Sequence, residues 1–212
     1  MPTIRWSDRD EWMRIVGASA YSSMDTLWAT YDMARLCIEN PVRGDFVECG
    51  VAAGAQSAVM ARAIIDARHC RPGDWRPGDR RVHLYDSFAG VPEPGPEDIE
   101  FLEAGHHAGL SAVSLDDVQA NMREWGIPDD LLVYHIGDFA TTMSFAYTTP
   151  QHIALLRMDA DLYRSTRLIM EHLYPRVTPG GWVICDDWAL RGSRQAVLEH
   201  LPTHPSPIYW RK

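Results

Sequence analysis

The sequence is short of positive charge. Its 212 residues hold 20 Lys and Arg against 29 Asp and Glu, a formal net charge of -9. Nucleic acid and anionic membrane surfaces both call for basic protein surface, so neither is an expected partner. No apolar run approaches the ~20 residues that a bilayer-spanning helix requires. A secretory leader needs an apolar run behind a basic start. Met1 to Met13 instead carry Arg5, Asp8, Arg9, Asp10 and Glu11. Cysteine is scarce: Cys37, Cys49, Cys70 and Cys185, with no CxxC pair. That pattern reads as reduced thiols in a cytoplasmic protein, and its spacing offers no zinc site. There is no internal repeat and no low-complexity tract. The GxGxxG spacing of dinucleotide-binding enzymes is also missing, which weakens an NAD(P) reading.

What is present is an alternation of short apolar runs and longer helical patterns. Leu27, Tyr31, Ala34 and Ile38 recur at helical spacing and predict a helix over 24–39. Strands are expected at 45–50, 81–85, 131–136, 153–158 and 182–185, with a last edge strand at 208–210. Further helices are expected over 55–67, from Ser114, and over 163–174 and 193–201. Ser114 to Asp117 resembles a capping box with Asp117 in the acceptor place. Pro179-Gly180-Gly181 is expected to turn the chain, and 71–78 is a Pro- and Gly-rich loop. Residues 87–113 form a long loop with the character of a lid. This alternation predicts an α/β fold, a mostly parallel central sheet with helices on both faces. The domain expectation is an N-terminal helical segment over 1–40 and one domain over 41–212.

Ligands in such sheets sit beyond the carboxyl ends of the strands. Glu48, Asp86, Asp159, Asp186 and Asp187 all fall at expected strand ends, on one edge. The Gly50-Val51-Ala52-Ala53-Gly54 passage lets the backbone turn tightly into a helix, whose N-terminus can receive a carboxylate. An ordinary strand-to-helix turn explains it equally. Asp86 fits a ribose diol, or a turn cap with Ser87. Asp159-Ala160-Asp161 with Asp186-Asp187 offers hard carboxylate oxygens to a divalent cation such as Mg²⁺. The alternative is ion pairing with Arg157, Arg164 or Arg191. His106-His107 in the loop can meet a substrate or simply be solvated, and Trp188 can line an acceptor pocket or pack.

These segments, taken together, resemble the macrocin O-methyltransferase family. The resemblance rests on Gly44–Val51, Asp86–Pro92, Leu156–Thr166, Leu173–Pro175, Pro179–Asp187, Arg194–Val197 and Tyr209–Lys212, in that order, and covers roughly residues 20 to 212. It implies a Rossmann-like class I methyltransferase fold, S-adenosylmethionine as donor, Mg²⁺ or another divalent cation, and a hydroxylated small-molecule acceptor, a sugar of a glycosylated natural product. It implies Asp159, Asp186 and Asp187 as metal ligands and Asp161 as general base. Glu48, Gly50, Val51, Gly54, Ser57, Asp86, Ser87, Phe88, Asp138, Phe139 and Asp159 would line the donor site, with Asp138 near the adenine. It also suggests a homo-oligomer. Only 202–207 separate the last helix from the closing strand, so a shortened C-terminal strand pair is expected. A methyltransferase acting on a non-sugar acceptor is the alternative within this class, and two rivals from other classes stand beside it. One is a metal-dependent glycosyltransferase that uses the DxD for a nucleotide sugar. The other is a binding protein that retained the fold without turnover.

Overall fold

A computed structural model describes residues 6–70, 80–144, 149–201 and 208–212. The loop expected at 71–78 and the 202–207 connection lie outside these residues. Two helices come first, α1 (Trp6–Gly17) and α2 (Met24–Glu39). Then follow β1 (Asp45–Cys49), α3 (Ala55–Cys70), β2 (Val82–Asp86), α4 (Ile99–Glu103), α5 (Leu115–Glu124) and β3 (Leu132–Ile136). The chain continues through α6 (Phe139–Thr142), β4 (Ile153–Met158), α7 (Tyr163–His172), β5 (Val177–Cys185), α8 (Arg191–His200) and β6 (Tyr209–Arg211).

The strands form one sheet in the order β3-β2-β1-β4-β5-β6. All pairings are parallel except that of β5 with β6. Successive residues of each strand feed opposite faces. Phe46, Leu84 and Leu155 join α2, α3 and α5 in one apolar cluster. Val47, Tyr85 and Leu156 join α7 and α8 in the other. Met13 and Val16 of α1 belong to the first cluster, so the N-terminal helices share the core of the sheet. The order reverses between β1 and β4, and that switch point opens a crevice above their carboxyl ends.

Helix α2 begins and ends where its periodicity places it, with the Ser23 side chain accepting from Thr26 N–H. Ser114 caps α5 by accepting the Asp117 N–H at 3.2 Å. The Asp117 carboxylate takes the Ser114 hydroxyl at 2.6 Å, so this is half of a capping box. Two expectations need correction. Pro179-Gly180-Gly181 lies inside β5, where the register against β4 slips, so it is a bulge rather than a turn. The 87–113 stretch is not an unstructured loop, because it contains α4 and is bonded to the body of the molecule. Of the C-terminal pair, expected to be shortened, only β6 is short, at 3 residues, whereas β5 has 9; among the described residues β6 is the one antiparallel strand. Among the described residues no helix is long and apolar enough to cross a membrane. Cys37, Cys49 and Cys185 are free and buried.

Candidate active site

A cavity of about 460 Å³ occupies the crevice at the switch point. Its volume is in the range of small-molecule sites. One end is built by β1, β2 and β3. Glu48 is buried on β1, and Ser57 from the first turn of α3 donates its hydroxyl to Glu48 Oε2. Burial pushes the Glu48 carboxyl up to about 8, against the opposing pull of Arg157 and Ser57. Asp86 ends β2. Its Oδ2 accepts the Val51 N–H at 2.6 Å and its Oδ1 accepts the Phe88 N–H at 2.7 Å. These bonds aim the carboxylate across the crevice and leave a lone pair on each oxygen. Asp138 caps α6 by accepting the Ala140 N–H at 2.8 Å, and Phe139 follows it on the cavity wall.

The other end is acidic. Ligand oxygens of Asp159, Asp186 and Asp187 lie within 4.8 Å of one another. Asp187 Oδ2 accepts the N–H groups of Ala160 and Asp161, both at 2.8 Å. Arg157 Nη2 reaches Asp159 Oδ2 at 2.8 Å and Asp186 Oδ1 at 3.0 Å. Burial raises the Asp159 carboxyl, with Arg157 opposing. It raises Asp187 strongly, helped by Asp159 and Asp161. Asp161 is pushed up to about 6 by burial, then by Asp159, Asp186 and Asp98. The side chain of Asp159 keeps 31% of its surface exposed, so solvent there moderates the rise. Arg157 is raised despite its burial, because Asp159, Asp186 and Glu48 outweigh that cost, so it stays charged.

The donor set suits a hard divalent cation: all oxygen, clustered, and more negative than one arginine can balance. The opposite end suits S-adenosylmethionine, whose positive charge matches walls carrying Asp86 and Asp138.

Glu48, Gly50, Val51, Asp86, Ser87, Asp138, Phe139, Asp159, Asp161, Asp186 and Asp187 are all brought to this cavity. Gly54, Ser57 and Phe88 are not on its lining. Gly54 backs onto Met122 and Val118 of α5, Ser57 acts through Glu48, and Phe88 packs against the core. Of the two loop histidines, His106 lines the cavity and His107 is exposed, bonded to the Ala108 carbonyl. Trp188 packs against the α7–α8 cluster. Ion pairing and the cation reading proved compatible, since Arg157 does pair with two of the three aspartates. Arg164 on α7, named above only as a possible ion-pair partner, also lines the cavity, and sequence reasoning missed Tyr21 and Ser22, which reach it from the α1–α2 turn. Nothing in their local sequence signals that long-range placement.

The sheet order, the crevice and its two ends define a class I O-methyltransferase fold. The solved O-methyltransferase NovP shares it, with a TM-score of 0.77 and 29% identity over 92% of this chain and 82% of that one. The family model described as macrocin O-methyltransferase (TylF) matches residues 15–205, and the chain belongs to that family. Two relatives are similar in sequence. A tetracenomycin-C rhamnosyl 4'-O-methyltransferase of Streptomyces olivaceus is 39% identical over 80% of this chain and 64% of its own length. The mycinamicin III 3''-O-methyltransferase of Micromonospora griseorubida is 34% identical over 83% of this chain and 73% of its own length. The chain thus spans about two thirds of the length of these curated relatives. Family membership sets Asp159-Ala160-Asp161 in a methyltransferase context and removes the glycosyltransferase reading.

Proposed function

We propose that this protein transfers the methyl group of S-adenosylmethionine to a hydroxyl on the sugar of a glycosylated natural product, at a site completed by a divalent cation. The observation that carries this reading is a single cavity with a donor end at Glu48, Asp86 and Asp138 and an acidic end at Asp159, Asp161, Asp186 and Asp187. The two relatives named above act, by their names, on a rhamnosyl tetracenomycin and a mycinamicin, which supports a sugar-bearing acceptor.

The methyl donor brings its own activation in the sulfonium charge. The chain must orient an acceptor oxygen and take its proton. Asp86 accepts hydrogen bonds from the donor ribose, and Asp138 with Phe139 flanks the adenine. Asp159, Asp186 and Asp187 would hold the cation, which would supply Lewis acidity toward the acceptor hydroxyls when bound. Asp161, with its N–H anchored on Asp187, presents a carboxylate oxygen that takes the hydroxyl proton as the methyl group transfers. Orientation of the two reactants supplies several kcal/mol of the barrier reduction. The 87–113 segment, through His106, Leu110 and Ser111, covers the cavity and excludes water.

Titration calorimetry with S-adenosylhomocysteine tests the donor half. One-to-one binding is expected, and no heat from folded protein would overturn the reading. Mass spectrometry of glycosylated acceptors incubated with donor, with Mg²⁺ or with chelator, tests the second half. Methylation that a chelator abolishes is expected; full turnover in chelator would remove the cation from the site.

A further inference from the structure

Arg157 is the largest fully buried side chain in the molecule among the described residues. It sits on β4, in register with Glu48 on β1, on the face that otherwise carries Phe46 and Leu155. A buried guanidinium is costly unless it is well paired, and an apolar residue of similar volume fills such a strand position more favourably. Packing alone therefore does not explain an arginine here. Its contacts do. Nη2 is shared between Asp159 Oδ2 at 2.8 Å and Asp186 Oδ1 at 3.0 Å, while Nε faces Glu48 Oε1 at 3.6 Å. Nη1 is buried with no hydrogen-bond partner, so the group is placed for charge rather than for a full set of hydrogen bonds.

Two carboxylates brought to one nitrogen repel each other, and Asp187 crowds a third carboxyl group against them. Something positive must hold them together before a divalent cation arrives. We propose that Arg157 is a positioning residue: a resident counter-ion that keeps Asp159 and Asp186 assembled in the absence of the cation and ties that pair to Glu48 at the donor end. The inference rests on the cation reading given above. It goes beyond it by assigning preorganisation of the ligand set to a residue that does not itself ligate. It follows that wild-type protein folds with its ligands in place and gains little stability from the cation. A chain without Arg157 depends on the cation for the same arrangement.

The test uses Mn²⁺ as the probe. Electron paramagnetic resonance counts bound Mn²⁺, and melting temperatures are read in chelator and in saturating Mn²⁺, for wild type, Arg157→Met and Arg157→Lys. One bound Mn²⁺ per chain is expected for wild type, with a small rise in melting temperature. The Met variant should melt lower in chelator, and its Mn²⁺-induced rise should exceed that of wild type by ~5 °C or more. Lys keeps the charge but lacks the fork that spans two carboxylates, so its rise should fall between the two. A structural role alone predicts the same loss in both buffers, and that result, or no loss at all, overturns the proposal. If the Met variant does not fold in either buffer, the Lys variant decides, and a rise equal to that of wild type overturns it. Wild type that binds no Mn²⁺ removes the cation reading itself and this proposal with it.

Discussion

Gly50 lines the cavity and also meets a second constraint from the protein itself. Its φ is +85°, and a Cβ added there would lie 1.5 Å from the carbonyl oxygen of Asp159. The end of β4 makes this close approach, and there the Asp159 N–H donates to the Cys49 carbonyl at 2.9 Å. Gly50→Ala therefore drives two strand ends apart at the switch point. We expect it to cost more than about 3 kcal/mol or to prevent folding, as read by urea denaturation. Asp161 allows a cleaner test. Its φ is +57°, a left-handed conformation that Asn accepts as readily as Asp. Asp161→Asn thus keeps the backbone and the N–H to Asp187 while removing the proton acceptor. Turnover should fall by ~10²–10⁴-fold with S-adenosylhomocysteine affinity unchanged, and near wild-type turnover would exclude Asp161 as base. The carboxylates were legible in the sequence because each ends a strand and strand ends share one edge. Arg157 was legible only as one possible partner, since the register that sets it beside Glu48 is a property of the sheet.

At the scale of elements, the strands and helices followed their periodicities closely, and the discrepancies lie where a long-range contact replaces a local signal. Helix α7 has Leu162 at its N-cap, which offers no side-chain acceptor. Asp98 supplies one from the 87–113 segment, accepting the Tyr163 N–H at 2.8 Å and the Gly95 N–H at 2.9 Å. Glu100 does the same for α8, accepting the Arg191 N–H at 2.7 Å. One segment therefore caps two helices that the local sequence leaves open, and its middle is tied down beside the acidic cluster. A sequence pattern shows the prolines and glycines of this stretch but not its anchor. Asp98 is buried, so its loss leaves two N–H groups without an acceptor. Asp98→Ala should destabilise by about 1–2 kcal/mol, measured by denaturant midpoint. Because Tyr163 lies two residues after Asp161, turnover should fall as well, with the donor affinity kept. Lost stability with unchanged turnover would confine Asp98 to capping.

For the whole molecule, two buried groups on different strands set opposing responses to pH. Glu48 is raised to about 8 in the fold, above its ordinary value of 4.5, so between these values the folded state binds the extra proton. Stability then rises as pH falls from 8, by about 1–2 kcal/mol down to pH 6.5. His135 behaves in the reverse sense. It is buried on β3, stacked on Tyr85 with ring centroids 3.8 Å apart, and its Nε2 meets Nδ1 of His83 at 2.8 Å. Burial, then His83, lowers it to about 4, so between 4 and 6.5 the unfolded state binds the extra proton. Stability falls as pH drops through that window, by about 1 kcal/mol after allowance for solvent screening of the ring. From these two groups the chelated protein should gain stability as pH falls from 8 to 6.5, and below 6.5 that gain should slow because His135 opposes Glu48 down to about pH 4.5. Glu48→Gln should remove the gain above pH 6.5 and expose the His135 decline below it, whereas His135→Phe should leave the alkaline limb intact and steepen the gain below 6.5, each read as urea midpoints. Glu48 sits in the crevice and the histidine pair lies along β2 and β3 beside Asp45, so the two act separately. An alkaline limb that survives Glu48→Gln, or an acid limb unchanged by His135→Phe, overturns the assignment to these two groups.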